Sequence, residues 1–258
     1  MQRDTDAELM ENHRDRPEIR EPFADKIKSQ HENILRVAKS RQDFTANVSH
    51  ELKTPLTAIS GYVELIENHM IEKDQESYFA GQIRVSADRM VTMINEIINL
   101  SELDHNETER NFENADLLEI AKNVCNEMQV NAQKRSVRLV CSGNSTVKLI
   151  DASLISELIA NLVQNAIAYN REGGHVEVKV SEHDGKAVIR VRDNGIGIPP
   201  EALDHIFERF YRVDKSRSRE RGGTGLGLAI VKHIAEIHDA ELSVDSTPGE
   251  GTEITVLI

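Results

Sequence analysis

The stretch Phe44-Thr45-Ala46-Asn47-Val48-Ser49-His50-Glu51-Leu52-Lys53-Thr54-Pro55, continued by Leu56 to Ile66, decides the architecture of this chain. At about 100° per residue, Phe44, Val48, Leu52, Ile59, Val63 and Ile66 gather on one side of a helix. His50 falls on the opposite side, with Glu51 beside it and Thr54 one turn further along the same face. A histidine is thus held toward solvent in mid-helix. Pro55 removes one intrahelical hydrogen bond at a cost of about 3 kcal/mol, so a bend is expected just past the histidine. By itself His50 reads equally well as an ordinary residue of a solvated face.

Upstream, Phe23, Ile27, Ile34, Val37, Phe44 and Val48 keep a heptad-like spacing. The helix should therefore run from about residue 22 through His50 to near His69, long enough for coiled-coil pairing. Residues 1–21 are charged, contain Pro17, and read as linker. After a turn near Ile71 to Asp74, a second helix is expected from about Gln75 to Leu103, with Phe79, Ile83, Met90, Ile94 and Ile97 as its core stripe. One hairpin cannot bury both stripes alone, so two hairpins in a dimeric four-helix bundle is the economical solution. Polar residues 105–115 read as an interdomain linker.

The net charge of −13 over 258 residues argues against a general nucleic-acid binder. Two unpatterned cysteines, Cys125 and Cys141, fit a reducing cytoplasm better than a metal site or a disulfide. No apolar run approaches bilayer length, so any membrane attachment would lie in segments preceding this polar start.

Beyond residue 115 the pattern becomes mixed. Helices are expected at about 116–134, 152–169 and 225–238, and strands near 137–142, 146–150, 175–182, 186–193, 241–245 and 252–258. Three glycine clusters punctuate this half: Asp193-Asn-Gly195-Ile-Gly197-Ile-Pro199 after a strand, Gly222-Gly223-Thr224-Gly225-Leu226-Gly227 opening a helix, and Pro248-Gly249-Glu-Gly251 between the last strands. A glycine-rich turn entering a helix N-terminus is a ready anion site. Neither a P-loop nor a Rossmann fingerprint is present.

In this order the motifs resemble those of the bacterial two-component sensor histidine kinases. Ser49 to Leu56 is similar to the phospho-acceptor box, Asn161-Leu-Val-Gln-Asn165-Ala to the N box, and Asp193 to Pro199 to the first glycine box. Ile206-Phe207-Glu-Arg-Phe210-Tyr211-Arg212 resembles the F box, and Gly223 to Leu228 the second glycine box. The resemblance covers residues 44–258.

That resemblance implies a linker at 1–21, a signalling helix or coiled coil at 22–43, a dimerisation and histidine phospho-acceptor domain at 44–104, a linker at 105–115 and an α/β two-layer sandwich ATP-binding domain at 116–258. It implies ATP and Mg²⁺ as cofactors, with Asn165 as the metal ligand and Asn161 in support. Asp193 would accept from the adenine amino group and Tyr169 would pack on the base. Gly195, Gly197, Tyr211, Gly223, Thr224, Gly225, Leu226 and Gly227 complete the cofactor-binding set, with the three last glycines admitting the phosphate tail. The loop from Pro200 to Arg221 would be a lid, its Arg212, Lys215, Arg217, Arg219 and Arg221 concentrating positive charge. His50 would take the γ-phosphoryl group, Glu51 would orient its ring, and Arg212 would contact the phosphates. The phosphoryl group would pass to an aspartate of a response regulator, and Thr54 would serve dephosphorylation of that partner. The implied protein is a homodimer whose full-length form sits in the cell membrane with this part facing the cytoplasm. Two departures stand out: Ala168 where the family usually carries Lys or Arg, and Asn170 where Thr or Ser is frequent. A chaperone- or gyrase-like ATPase and a catalytically degenerate scaffold are the rival readings.

Overall fold

A computed structural model of the chain describes residues 17–105, 110–214 and 223–258, with side chains from residue 42 onward apart from His105. The chain divides into two units, Met1–Thr57 and Ala58–Ile258. The first described element, α1, is the helix Pro17–Glu67. It already includes residues 17–21 of the segment expected to be linker. Residues 1–16 lie outside the described residues, as do the side chains on which the coiled-coil expectation for 22–41 rests. The helix continues unbroken through Pro55. Around the histidine, the hydroxyls of Ser49, Thr54 and Thr57 donate to the carbonyls of Thr45, His50 and Lys53 at 2.9, 3.2 and 2.8 Å. Such back-bonding to the i−4 carbonyl slightly weakens a helix and favours bending.

At the hairpin turn His69 takes a positive φ of 55°, and the Met70 N–H donates to the Leu65 carbonyl at 3.0 Å. The second helix, α2, is Glu76–His105, and the rings of Tyr62 and Phe79 pack 5.6 Å apart across the turn. The burial of α2 differs from the expected stripe. Phe79, Ile83, Met90 and Ile97 are only half-buried, whereas Met93, Leu100 and Leu103 are 0%, 1% and 7% exposed. The reason is a tertiary partner that periodicity cannot show: the C-terminal half of α2 packs against the following domain.

That domain begins with strand β1, Phe112–Asp116, so the expected linker is ordered at its C-terminal end, while residues 106–109 lie outside the described residues. Polar Glu113 and Asn114 hide the strand from a pattern search, because β1 pairs antiparallel only with β3, Val147–Asp151, in a two-stranded sheet open to solvent. Between them come helix α3, Leu117–Lys134, and strand β2, Arg138–Gly143. The Asp116 carboxylate caps α3, accepting from the N–H of Leu118 and of Thr146 and from the Ser145 hydroxyl at 2.9, 3.0 and 2.7 Å. Helix α4, Ala152–Ala168, is capped the same way by Asp151. Then follow β4, His175–His183; β5, Lys186–Asp193; a 3₁₀ turn at Pro200–Ala202; helix α5, Gly227–Ile237; and the final strands β6, Glu241–Thr247, and β7, Gly251–Leu257.

The main sheet has the order β2-β4-β5-β7-β6, with β2 and β4 parallel and the other pairs antiparallel. Val176, Val178 and Val180 alternate with exposed Glu177 and Lys179 along β4, as one covered face demands. The covering layer is α3, α4 and α5, whose Val124, Leu158, Ile159, Leu162, Ile230 and Ile234 fill an aliphatic core. Hence the second domain is an α/β two-layer sandwich, as expected.

A buried histidine ties these layers together. His238 donates from Nδ1 to the Ile234 carbonyl at 2.8 Å and accepts at Nε2 from the Asp151 N–H at 3.1 Å, with the Phe112 ring 5.2 Å away. Burial pushes its pKa below the ordinary 6.5, outweighing the Ile234 bond and the Asp151 charge. The unfolded chain takes up this proton near pH 6.5, the folded chain only at lower pH. The stability so stored is complete above pH 6.5 and is lost as pH falls below it. Melting temperature should therefore drop between pH 7.5 and 5.5, with a shallower slope in His238→Gln; equal slopes would refute the assignment.

Candidate functional site

A cavity of about 720 Å³ opens between α4, the ends of β5 and β7, and the start of α5. At one end stands Asp193, at the end of β5. Its Oδ1 accepts the Gly195 N–H at 2.7 Å. Burial pushes its carboxyl above the usual range, against the pull of the Gly195 and Thr252 N–H donors and the His175 charge. The turn after it must come close to other backbone. Gly197 has φ of 67°, and a Cβ there would sit 2.1 Å from the Thr247 carbonyl oxygen, so only glycine fits.

At the other end, Gly223, Thr224, Gly225 and Gly227 lead into α5. Gly225 has φ of 80°, and a Cβ would meet the Phe210 backbone at 2.9 Å. The Phe210 N–H donates to the Gly225 carbonyl at 2.8 Å, which pins the F-box segment to the glycine turn. Buried Thr224 accepts the Leu226 N–H at 3.3 Å. Asn161 and Asn165, one turn apart on α4, face this helix start. The Asn161 Oδ1 lies 2.9 Å from where a Gly227 Cβ would be, and the Asn165 Nδ2 lies 3.8 Å from it. Asn161 Nδ2 donates to the Glu157 carbonyl at 3.0 Å, leaving its oxygen turned toward the glycines.

Of the residues expected to bind a cofactor, Asn161, Asn165, Tyr169, Asp193, Gly197, Tyr211, Gly223, Thr224, Gly225 and Gly227 line this one cavity, and so does Arg212. Two do not. Leu226 is fully buried in the core, because the residue before α5 must fill the space beneath it. Gly195 does its work in the turn, where a Cβ would strike the Tyr169 carbonyl oxygen at 2.4 Å. Lys215, Arg217, Arg219 and Arg221 lie outside the described residues. Ala168 closes α4, and its carbonyl accepts from Arg135 Nη1 at 3.3 Å. Asn170 Nδ2 donates to the Ala166 and His175 carbonyls at 3.2 and 3.1 Å, so it braces the α4–β4 connection.

On α1, His50 is open to water, with 73% of its side-chain surface exposed. Its Nδ1 stands 4.0 Å from Glu51 Oε1, too long for a hydrogen bond. The expected orienting contact is absent in this rotamer.

Residues 40–106 match the His Kinase A (phospho-acceptor) domain family, and residues 150–258 match the histidine kinase-, DNA gyrase B- and HSP90-like ATPase family. The chain belongs to the sensor histidine kinase family. It is 36% identical over 226 residues to the Staphylococcus aureus sensor protein kinase WalK, covering 86% of this chain and 54% of that relative. For the WalK of strain JH9 the share of the relative falls to 37%, so the chain spans about half or less of these curated relatives. Among solved structures, full-length ShkA in complex with AMPPNP aligns with a TM-score of 0.60 and 26% identity, covering 82% of this chain and 44% of that one. The histidine kinase ThkA in complex with response regulator protein TrrA aligns at 0.69 with 22% identity, over 95% of this chain and 67% of that one, a likeness of fold.

Among the residues of the cavity wall that were not named from the sequence, one comes from outside the α/β domain. Glu96 of α2 reaches the cavity from the hairpin. Burial pushes its carboxyl above the usual range, against a hydrogen bond from Thr224 and the Arg212 charge, while Glu157 pushes it further up. Around it α2 is fastened to the ATPase-type domain. Asn99 hydrogen-bonds Glu157, Arg209 Nη2 donates to both Asp104 carboxylate oxygens at 3.1 Å, and His233 Nε2 stands 3.7 Å from Asp104. A glutamate on an amphipathic helix gives no hint of this in sequence. The one available signal is its place within the Met93-Leu100-Leu103 stripe.

Proposed function

We propose that this chain is the kinase portion of a sensor histidine kinase, which phosphorylates His50 from ATP with Mg²⁺ and passes the phosphoryl group to an aspartate of a response regulator. The observation that carries the reading is one chain joining a solvent-held histidine to a domain whose cavity gathers Asn165, Asp193 and the Gly223–Gly227 turn. The ends of that cavity suit the two ends of ATP. Asp193 is an acceptor for the adenine amino group beside Tyr169, and the N-terminus of α5 with its glycines offers N–H donors and a favourable dipole to phosphates.

The oxygens available fit Mg²⁺ as well. Among the described residues no cluster of three or more His, Cys, Asp or Glu forms, so the ion would take the Asn165 amide oxygen and draw its other oxygens from phosphate and water. When bound, it supplies charge neutralisation on the phosphates. Arg212 adds to this from the cavity wall. The distal nitrogen of His50 forms the N–P bond as the bond from the γ-phosphorus to its bridging oxygen breaks, and ADP leaves. Glu51 would hold the other ring N–H. Thr54 serves removal of phosphate from the regulator. Its hydroxyl, here on the His50 carbonyl, is one rotamer away from solvent.

The face that α2 leaves open supports homodimerisation: Val91, Ile94 and Ile98 share one side and are 57%, 41% and 50% exposed. No described helix is long and apolar enough to cross a membrane. The membrane anchor of the full-length protein would belong to sequence beyond the span shared with WalK, with this part in the cytoplasm.

The test is incubation with γ-labelled ATP and Mg²⁺. Acid-labile, base-stable label on the protein, chased onto a receiver aspartate, is the expected result. Nucleotide binding with no protein-bound label would overturn the kinase reading and favour the scaffold.

A further inference from the structure

The docked position of Glu96 is costly. Met93, Glu96, Leu100 and Leu103 lie within about 80° of helix arc, and the three apolar members are buried. A carboxylate in such a stripe is normally replaced by an apolar side chain unless its charge is used, because burying it without full pairing is unfavourable. Pairing here is incomplete: Glu96 Oε2 is buried with no hydrogen-bond partner among the described residues. The side chain ends beside Thr224, whose turn carries the backbone donors of the anion site, with Arg212 also on the cavity wall. Glu157, on the neighbouring helix α4, adds a second negative charge rather than a counter-ion.

We propose that Glu96 is an internal competitor for the phosphate site, displaced by the tail of an incoming nucleotide, so that nucleotide binding and docking of α2 oppose one another. The inference rests on the nucleotide reading of the cavity and adds its regulation. A phosphate chain brought to the Gly223–Gly227 turn meets the Glu96 carboxylate, whose Oε2 is already buried, and like charges at such range repel. Withdrawing Glu96 means moving α2, which loosens the Asn99–Glu157 and Asp104–Arg209 contacts. Linkage makes the coupling reciprocal: whatever releases α2 raises nucleotide affinity, and nucleotide releases α2. A signal that shifts α2 would thereby set the occupancy of the site.

The experiment is calorimetric titration of the whole chain, parent against Glu96→Gln and Asp104→Ala, with ATP plus Mg²⁺ and separately with adenosine. Asp104→Ala breaks the clamp on Arg209 without touching the cavity. Both variants are expected to bind ATP about tenfold more tightly than the parent, the scale of a typical site-to-site coupling, with adenosine affinity unchanged. Equal or weaker ATP binding by Glu96→Gln would overturn the proposal, the weaker result pointing to a carboxylate that helps hold Mg²⁺. An equal gain for adenosine would also overturn it, since general loosening needs no phosphate. Failure of all three proteins to bind either ligand would overturn the nucleotide reading itself and this inference with it.

Discussion

His50→Gln should bind ATP as the parent does and carry no acid-labile phosphate, with the rate of labelling down by at least about a thousandfold. Glutamine keeps the size and polarity of an exposed helix residue and helix propensity slightly above that of histidine. It offers an amide in place of a basic ring nitrogen, so no stable N–P bond forms. Because the histidine is 73% exposed and its backbone carbonyl, not its ring, accepts the Thr54 hydroxyl, the fold has little to lose. Circular dichroism and melting should therefore be unchanged. Residual label at more than about a hundredth of the parental rate would mean that another residue is the acceptor. Mixing this variant with Asp193→Asn, at an ATP concentration too low to occupy the weakened site, gives a further reading: restored label requires a heterodimer in which one subunit phosphorylates the other.

Asp193→Asn is expected to weaken ATP binding by about 10- to 100-fold, because a hydrogen bond to an ionised acceptor contributes about 1.5–3 kcal/mol. The carboxylate already accepts the Gly195 N–H and a backbone N–H of Thr252, so an amide in its place must turn its NH₂ toward one of three donors: Gly195, Thr252 or the adenine amino group. Inorganic tripolyphosphate, which has no base, separates recognition from collapse of the site. Its affinity should be unaffected if Asp193 reads only adenine, and a parallel loss would show that the substitution has disordered the Gly195–Gly197 turn instead.

Much of this site was legible in the chain because glycines and asparagines at fixed spacing are local requirements. Gly197 and Gly225 answer to positive φ and a close backbone approach, and Asn161 and Asn165 answer to one helical turn. Leu226 shows the limit of such local reading: a motif position flanked by two glycines reads as part of the loop, and its side chain is fully buried beneath α5. The start of β1 was hidden because a solvent-open two-stranded sheet imposes no apolar alternation.

What the sequence determined by itself was the helical hairpin that exposes His50, the α/β domain after it and the glycine turns that line the cavity, all set by periodicity and backbone conformation within short windows. What only tertiary structure decided was the use of the α2 stripe. Met93, Leu100 and Leu103 bury against the ATPase-type domain while Ile94 stays open, and Glu96 enters the cavity from a helix outside that domain. Periodicity says that a helix has an apolar face. Which surface covers it depends on contacts between residues far apart in the chain, and those are settled only when the two domains have folded.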